Sequence, residues 1–177
     1  DMYLGGDSKY YEYIQIPKYK RGRMQKDFIV PDAMMSWIMT EFESPNEGND
    51  LLGQLIFYGK MLYALNAMMP TTADTLKIGY TAQQLEWCDD NELEIWTHFI
   101  SNDLLYKRET EILKKYIGES PFINGFPEGS PGRIGHWIGW QIVKAYMNNN
   151  PEVSLQQLLE TTDAQKILNA SNYKPSR

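Results

Sequence analysis

Ser130-Pro-Gly-Arg-Ile-Gly-His-Trp-Ile-Gly-Trp-Gln-Ile-Val143 is the stretch on which the fold turns. It joins a loop rich in glycine and proline to a helix built for close contact. Pro131 suits the first position of a helix, where its missing N–H leaves no bond unmade. Gly135 and Gly139 lie four residues apart and share one helix face. A glycine inside a helix costs about 1 kcal/mol relative to alanine. Two on one face therefore imply that another backbone, or a ligand, comes very near. Arg133, His136 and Trp140 stand on the same turns and make this the best-defined functional surface in the sequence.

Working outward, the spacing predicts further helices. Pro31-Asp32 reads as a helix start with Asp32 as the cap, followed by Ala33, Met34, Trp37, Ile38, Glu41 and Phe42 at helical spacing. A polar loop is expected at 44–49. From Asp50 to Met69 a broad apolar face (Leu51, Leu52, Leu55, Ile56, Met61, Leu62, Leu65, Met68) marks a core helix, with Pro70 just past its end. Gly59 interrupts that helix and again implies close backbone approach. Thr81 and Gln84 have capping-box spacing and open a helix expected to run to Asn102, burying Leu85, Cys88, Ile95, Trp96, Phe99 and Ile100. A shorter helix follows from Glu109 to Ile117. Residues 118–132 form a long irregular loop of the kind that carries function. Ser154 and Gln157 form a second capping box, and Asp163 caps the last helix. Tyr11, Tyr13 and Ile14 suggest a short strand near the start. The reading is mainly α: one helical domain over residues 1–177 with a short irregular or β amino-terminal segment.

Composition sets limits. The 177 residues suffice for one domain with a real core. A net charge of −6 argues against a nucleic-acid binder. The one cysteine, Cys88, excludes an internal disulfide. No apolar run spans a bilayer. The chain opens on Asp1, which is not expected to be the natural start.

Reactive motifs are scarce. A zinc hydrolase needs three ligands and an open position, and its helical H-E-x-x-H signature is absent. Glu94 and His98 share a helix face, which could serve a metal, but ligand spacing alone is a weak warrant and a surface hydrogen bond or ion pair is the reading taken. Cys88 falls on an apolar face, where thiols are inert. Glu86, Asp89, Asp90, Glu92 and Glu94 spread over an outward face as a solvated surface. The glycines from Gly125 to Gly135 have the wrong order for a phosphate loop. No cofactor is expected. Lys18, Lys20, Arg21 and Arg23 form a basic cluster in an acidic chain, read either as a solvated loop or as an anion-facing arm.

Several strings come in a familiar order: Phe28-Ile-Val-Pro-Asp32, Leu55-Ile-Phe-Tyr-Gly-Lys60, Leu76-Lys-Ile-Gly-Tyr-Thr-Ala-Gln-Gln-Leu-Glu-Trp-Cys88, Glu119-Ser-Pro-Phe122, the opening stretch, and Asp163-Ala-Gln165. Over nearly its whole length the chain resembles the carboxy-terminal two thirds of the gliding-motility lipoprotein GldB family. The resemblance implies an exported protein at the periplasmic face of a membrane, anchored by a lipid on a cysteine upstream of Asp1. It implies partners among envelope proteins of a motility or secretion complex. The family is also distantly similar to zincin-type zinc peptidases, whose H-E-x-x-H helix precedes a helix bearing Glu-Gly. Here the helix from Met34 to Phe42 has no histidine, and Tyr58-Gly59 replaces Glu-Gly. Without ligands there is no polarised water. The implied fold is the helical part of a degenerate zincin-like scaffold.

The expectation is therefore a non-catalytic domain with no metal. Its binding cleft, between the Tyr58 helix and the Arg133–Trp140 helix, is expected to be lined by Tyr58, Lys60, Tyr80, Arg133, His136 and Trp140. The alternatives are a metal-dependent hydrolase with an unusual site at Glu41, Glu94, His98 and His136, and a packing module with no pocket.

Overall fold

The computed structural model describes residues 3–42, 50–127 and 129–175. The polar loop expected at 44–49 lies outside them. Eleven α-helices occur among the described residues: α1 (Lys9–Tyr13), α2 (Lys18–Arg21), α3 (Ile29–Glu41), α4 (Leu51–Met68), α5 (Asp74–Ile78), α6 (Ala82–Asp90), α7 (Glu92–Ser101), α8 (Thr110–Ile117), α9 (Ile134–Asn149), α10 (Leu155–Glu160) and α11 (Ala164–Ser171). A 3-10 turn at Lys26–Phe28 leads into α3. The described residues contain no strand, and the fold is mainly α.

Four helices, α4, α6, α10 and α11, start where the sequence supplies a side-chain oxygen for free N–H groups. Asp50 Oδ1 accepts from Gly53 N at 3.0 Å. Thr81 and Gln84 form the full capping box of α6, as do Ser154 and Gln157 for α10. Asp163 Oδ1 accepts from Lys166 N at 2.9 Å at the start of α11.

The central packing is α4 against α9. Their glycines decide how close the two axes come. A Cβ on Gly59 would overlap the carbonyl oxygen of Gly139, and one on Gly139 would overlap the carbonyl oxygen of Leu55. A Cβ on Gly135 would stand 2.7 Å from Ile117 Cδ1 and 2.9 Å from the Tyr116 carbonyl oxygen. Side-chain-free contact at the crossing lets Leu51, Leu52, Leu55, Ile138, Ile142 and Val143 all pack into one core. Each such burial is worth about 1.5–3 kcal/mol relative to exposure. Helix α11 covers α9 on one side, and α3 packs on α4 through Ile38, Phe57, Met61 and Leu65.

Five local expectations are corrected. Tyr11 lies in helix α1 rather than a strand, fully buried, with its hydroxyl accepting from Leu4 N at 2.8 Å. Helix α3 starts at Ile29, so Asp32 falls within its first turn instead of capping it. The helix expected from Thr81 to Asn102 breaks at Asn91, whose side-chain amide donates to the Trp87 carbonyl at 2.7 Å and competes with the helical ladder. Ile100, expected inside, is 47 % exposed near the end of α7. Pro131 does not start α9, which begins at Ile134 after a left-handed Arg133.

Candidate recognition cleft

Arg133 is the pivot. It occupies the N-cap of α9 with φ 55° and ψ 31°, a left-handed conformation that costs a non-glycine residue about 1–2 kcal/mol. Its side chain is nonetheless held firmly. Nη2 donates to the Ile78 carbonyl at 3.2 Å, and Nε faces Glu119 Oε1 at 3.2 Å. The guanidinium carbon lies 5.7 Å from the centre of the Tyr80 ring. Tyr80 is itself fixed, its hydroxyl donating to the Gly132 carbonyl at 2.6 Å, and its burial raises its pKa far above the ordinary tyrosine range. Gly132 is required here because a Cβ would overlap the Ser120 carbonyl. Burial lowers the pKa of Arg133 from its usual value, with Tyr80 opposing the shift.

A second guanidinium arrives from the amino-terminal segment. Arg23 Nη2 donates to Asp32 Oδ1 at 2.8 Å, and Arg23 Nη1 lies 3.7 Å from the same Glu119 Oε1 that faces Arg133. Asp32 also accepts from the Tyr3 hydroxyl at 3.1 Å. Gly79 ends α5 with φ 76°, and a Cβ there would come within 2.6 Å of Arg23 Nε. The left-handed turn thus both ends the helix and admits the arginine.

Two cavities meet at Arg23, Glu119 and Arg133. The smaller one, of about 280 Å³, reaches Tyr19, Asp32 and Tyr80. The larger one, of about 410 Å³, reaches Met35, Met39, Tyr58, Leu62, Ile78 and His136. In the latter the rings of Tyr58 and His136 stack with centroids 3.8 Å apart and planes 11° from parallel. Burial raises the pKa of Tyr58, and the charge of Arg133 opposes this. Burial and then the charge of Arg133 hold His136 well below the usual histidine range, while a main-chain hydrogen bond at Ile117 favours its protonated form. Its Nε2 is buried with no hydrogen-bond partner.

Of the six residues expected to line the cleft, the structure brings Tyr58, Tyr80, Arg133 and His136 to these cavities. It places the other two elsewhere. Lys60, two positions from Tyr58, turns to another face of α4 and is 8 % exposed. Its ammonium donates to the Leu159 carbonyl at 3.1 Å and the Thr161 carbonyl at 2.9 Å, closing the end of α10. Trp140 is 1 % exposed in the core, with Lys144 Nζ 3.8 Å from its ring centre.

The basic cluster divides. Lys18 and Lys20 are exposed on α2. Arg21 turns inward, with Nε donating to the Ile16 carbonyl at 2.7 Å and Nη1 3.4 Å from Glu12. Arg23 belongs to the cleft. Glu119 and Asp32 were not expected as site residues. Their only local signal is an acidic residue after Gly118 in the long loop and an aspartate in the first turn of a helix.

The residues of the hydrolase alternative are dispersed. Glu41 and Glu94 are exposed. His98 Nε2 pairs with the Tyr116 hydroxyl at 2.9 Å, on a different helix from His136. Among the described residues no group of three or more His, Cys, Asp or Glu side chains is arranged to hold a metal ion. Cys88 is buried, and burial pushes its thiol far above the range for reaction at neutral pH.

The family model for gliding motility protein GldB matches residues 1–175, and the chain belongs to that family. No curated protein and no solved structure matches the chain, so the implied likeness to zinc peptidases gains no support from these comparisons. No helix among the described residues is long and apolar enough to cross a membrane.

Proposed function

We propose that this GldB-family chain is the non-catalytic recognition domain of a cell-envelope lipoprotein serving gliding motility or its linked secretion machinery. Its place is the periplasmic face of a membrane, tethered by a lipid outside the chain described. It binds an envelope ligand or protein segment in the cleft between α4 and the amino end of α9.

The observation that carries the reading is Arg133. A non-glycine residue in a left-handed backbone stores strain, and such residues cluster where a side chain must be aimed. Arg133 is aimed at the junction of two cavities. Both are lined mostly by apolar surface with a few charged groups converging where they meet, the lining expected of a binding pocket. Lys18 and Lys20, exposed on α2, are free to face an anionic surface near the tether. No observation favours the hydrolase reading over this one.

Site-specific photo-crosslinking in the host tests the proposal. A photoreactive residue at Met39, beside the cleft, is expected to capture a partner, whereas one at the exposed Tyr106 is expected to capture none. Equal labelling from both positions, or none from Met39, contradicts it.

A further inference from the structure

We infer that the cleft receives the carboxy-terminal end of a peptide whose last residue is apolar, the terminal carboxylate replacing Glu119 between Arg23 and Arg133. The inference rests on the recognition reading above and names the ligand class.

Glu119 is a weak occupant of a strong site. One oxygen, Oε1, serves both guanidiniums, at 3.2 Å from Arg133 Nε and 3.7 Å from Arg23 Nη1. Its side chain is 45 % exposed, which limits what the pairing contributes. It also stands on the loop after α8, free of helical constraint. The two arginines are fixed independently of it. Asp32 holds Arg23, and the Ile78 carbonyl and Tyr80 ring hold Arg133. Charge bookkeeping gives the same ligand. Arg23 and Arg133 face Asp32 and Glu119. If Glu119 swings to solvent, one positive charge is left, which one carboxylate neutralises. Preorganised guanidiniums hold carboxylates through charge-assisted hydrogen bonds.

The neighbouring cavity supplies the other half. Met35, Met39, Leu62 and Ile78 give it an apolar wall beside the arginines. Methionine-rich walls accommodate varied apolar side chains. A carboxylate joined to an apolar group describes both a fatty acid and a peptide end. His136 separates them. Burial keeps its ring neutral, and with one ring nitrogen engaged at the Ile117 main chain, the unpartnered Nε2 is an acceptor. A buried acceptor without a donor costs about 1–3 kcal/mol. That nitrogen is covered in the free protein, so a ligand donor reaches it only when the Tyr58–His136 wall shifts; a peptide brings an amide N–H next to its terminal residue that rewards the shift, and a fatty acid brings none.

Isothermal titration calorimetry with N-acetyl-Ala-Leu, its carboxy-terminal amide and octanoate tests the inference. The acid is expected to bind about tenfold or more tightly than the amide or octanoate. Glu119→Gln removes the competing carboxylate and is expected to tighten the acid severalfold without changing the amide. His136→Phe keeps the ring stack and is expected to weaken the acid peptide but not octanoate. Equal binding of acid and amide, octanoate binding as tightly as the acid, or no binding of the acid overturns the inference. If the peptides fail while crosslinking from Met39 persists, the cleft remains a recognition site and only the ligand class is wrong. If crosslinking also fails, both readings fall.

Discussion

Gly59 and Gly139 meet main chain to main chain where α4 crosses α9, with no room for a Cβ on either. This contact brings the Tyr58 ring onto His136, one turn earlier on α9, and so builds one wall of the cleft. Helix propensity and packing make opposite predictions here. Gly139→Ala should gain about 1 kcal/mol from propensity. The new methyl would overlap the Leu55 carbonyl, and because backbone rather than a flexible side chain has to move, the cost is at the upper end of the overpacking range, about 3 kcal/mol. Chemical denaturation is expected to show a net loss of about 2 kcal/mol, and unchanged or raised stability would refute the close crossing.

Arg133 invites a paired comparison. Arg133→Gly and Arg133→Ala both remove the contacts to Ile78 and Glu119. Only glycine relieves the left-handed backbone. The glycine variant should therefore be more stable than the alanine variant by about 1 kcal/mol. Equal midpoints in urea would mean that the backbone at 133 is not strained.

Lys60 serves the fold rather than the cleft. Its ammonium satisfies the carbonyls of Leu159 and Thr161, and burial lowers its pKa from the usual lysine value. Lys60→Met keeps the aliphatic stem and strands two acceptors. A loss of about 1–3 kcal/mol is expected by thermal or chemical unfolding. Ligand binding at the cleft should not change, and a binding defect in a well-folded Lys60→Met protein would return this residue to the site.

Acid should weaken the fold through His136. Its pKa in the folded protein lies well below the ordinary value, first through burial and then through Arg133 and Arg23. The unfolded chain binds this proton near pH 6.5, while the folded one does not. Stability is thus fully present above pH 6.5 and falls as pH drops below it, by up to about 1.4 kcal/mol per unit. His98 is shifted the same way, through partial burial and Lys115, and adds to the slope. His136→Phe should flatten the stability profile between pH 7.5 and 5.5, and an unaltered slope would place the effect elsewhere.

The sequence made the helical frame legible where the cause is local. Asp50, Thr81, Ser154 and Asp163 announce their helices because a cap acts within three residues. Gly59, Gly135 and Gly139 announce the crossing because a glycine without a turn to make signals a near neighbour. The site was legible only in part. Asp32 looks like a cap in the sequence, and its real partner, Arg23, comes from a separate segment of the fold. Lys60 pairs with carbonyls about a hundred positions away, beyond any local pattern. The left-handed backbone of Arg133 is invisible because arginine carries no turn signature of its own. The Asn91 break in the long helix escapes periodicity because apolar spacing continues across it.

Arg133 works by recognition rather than by holding the fold. The most direct measurement replaces the chromosomal gene with Arg133→Gly in the full-length protein and scores the phenotype that gene deletion produces, with protein abundance followed in parallel. Normal abundance together with a defect as severe as the deletion is expected, while Lys60→Met retains function in proportion to the protein that remains. Normal function of a normally abundant Arg133→Gly protein would contradict it.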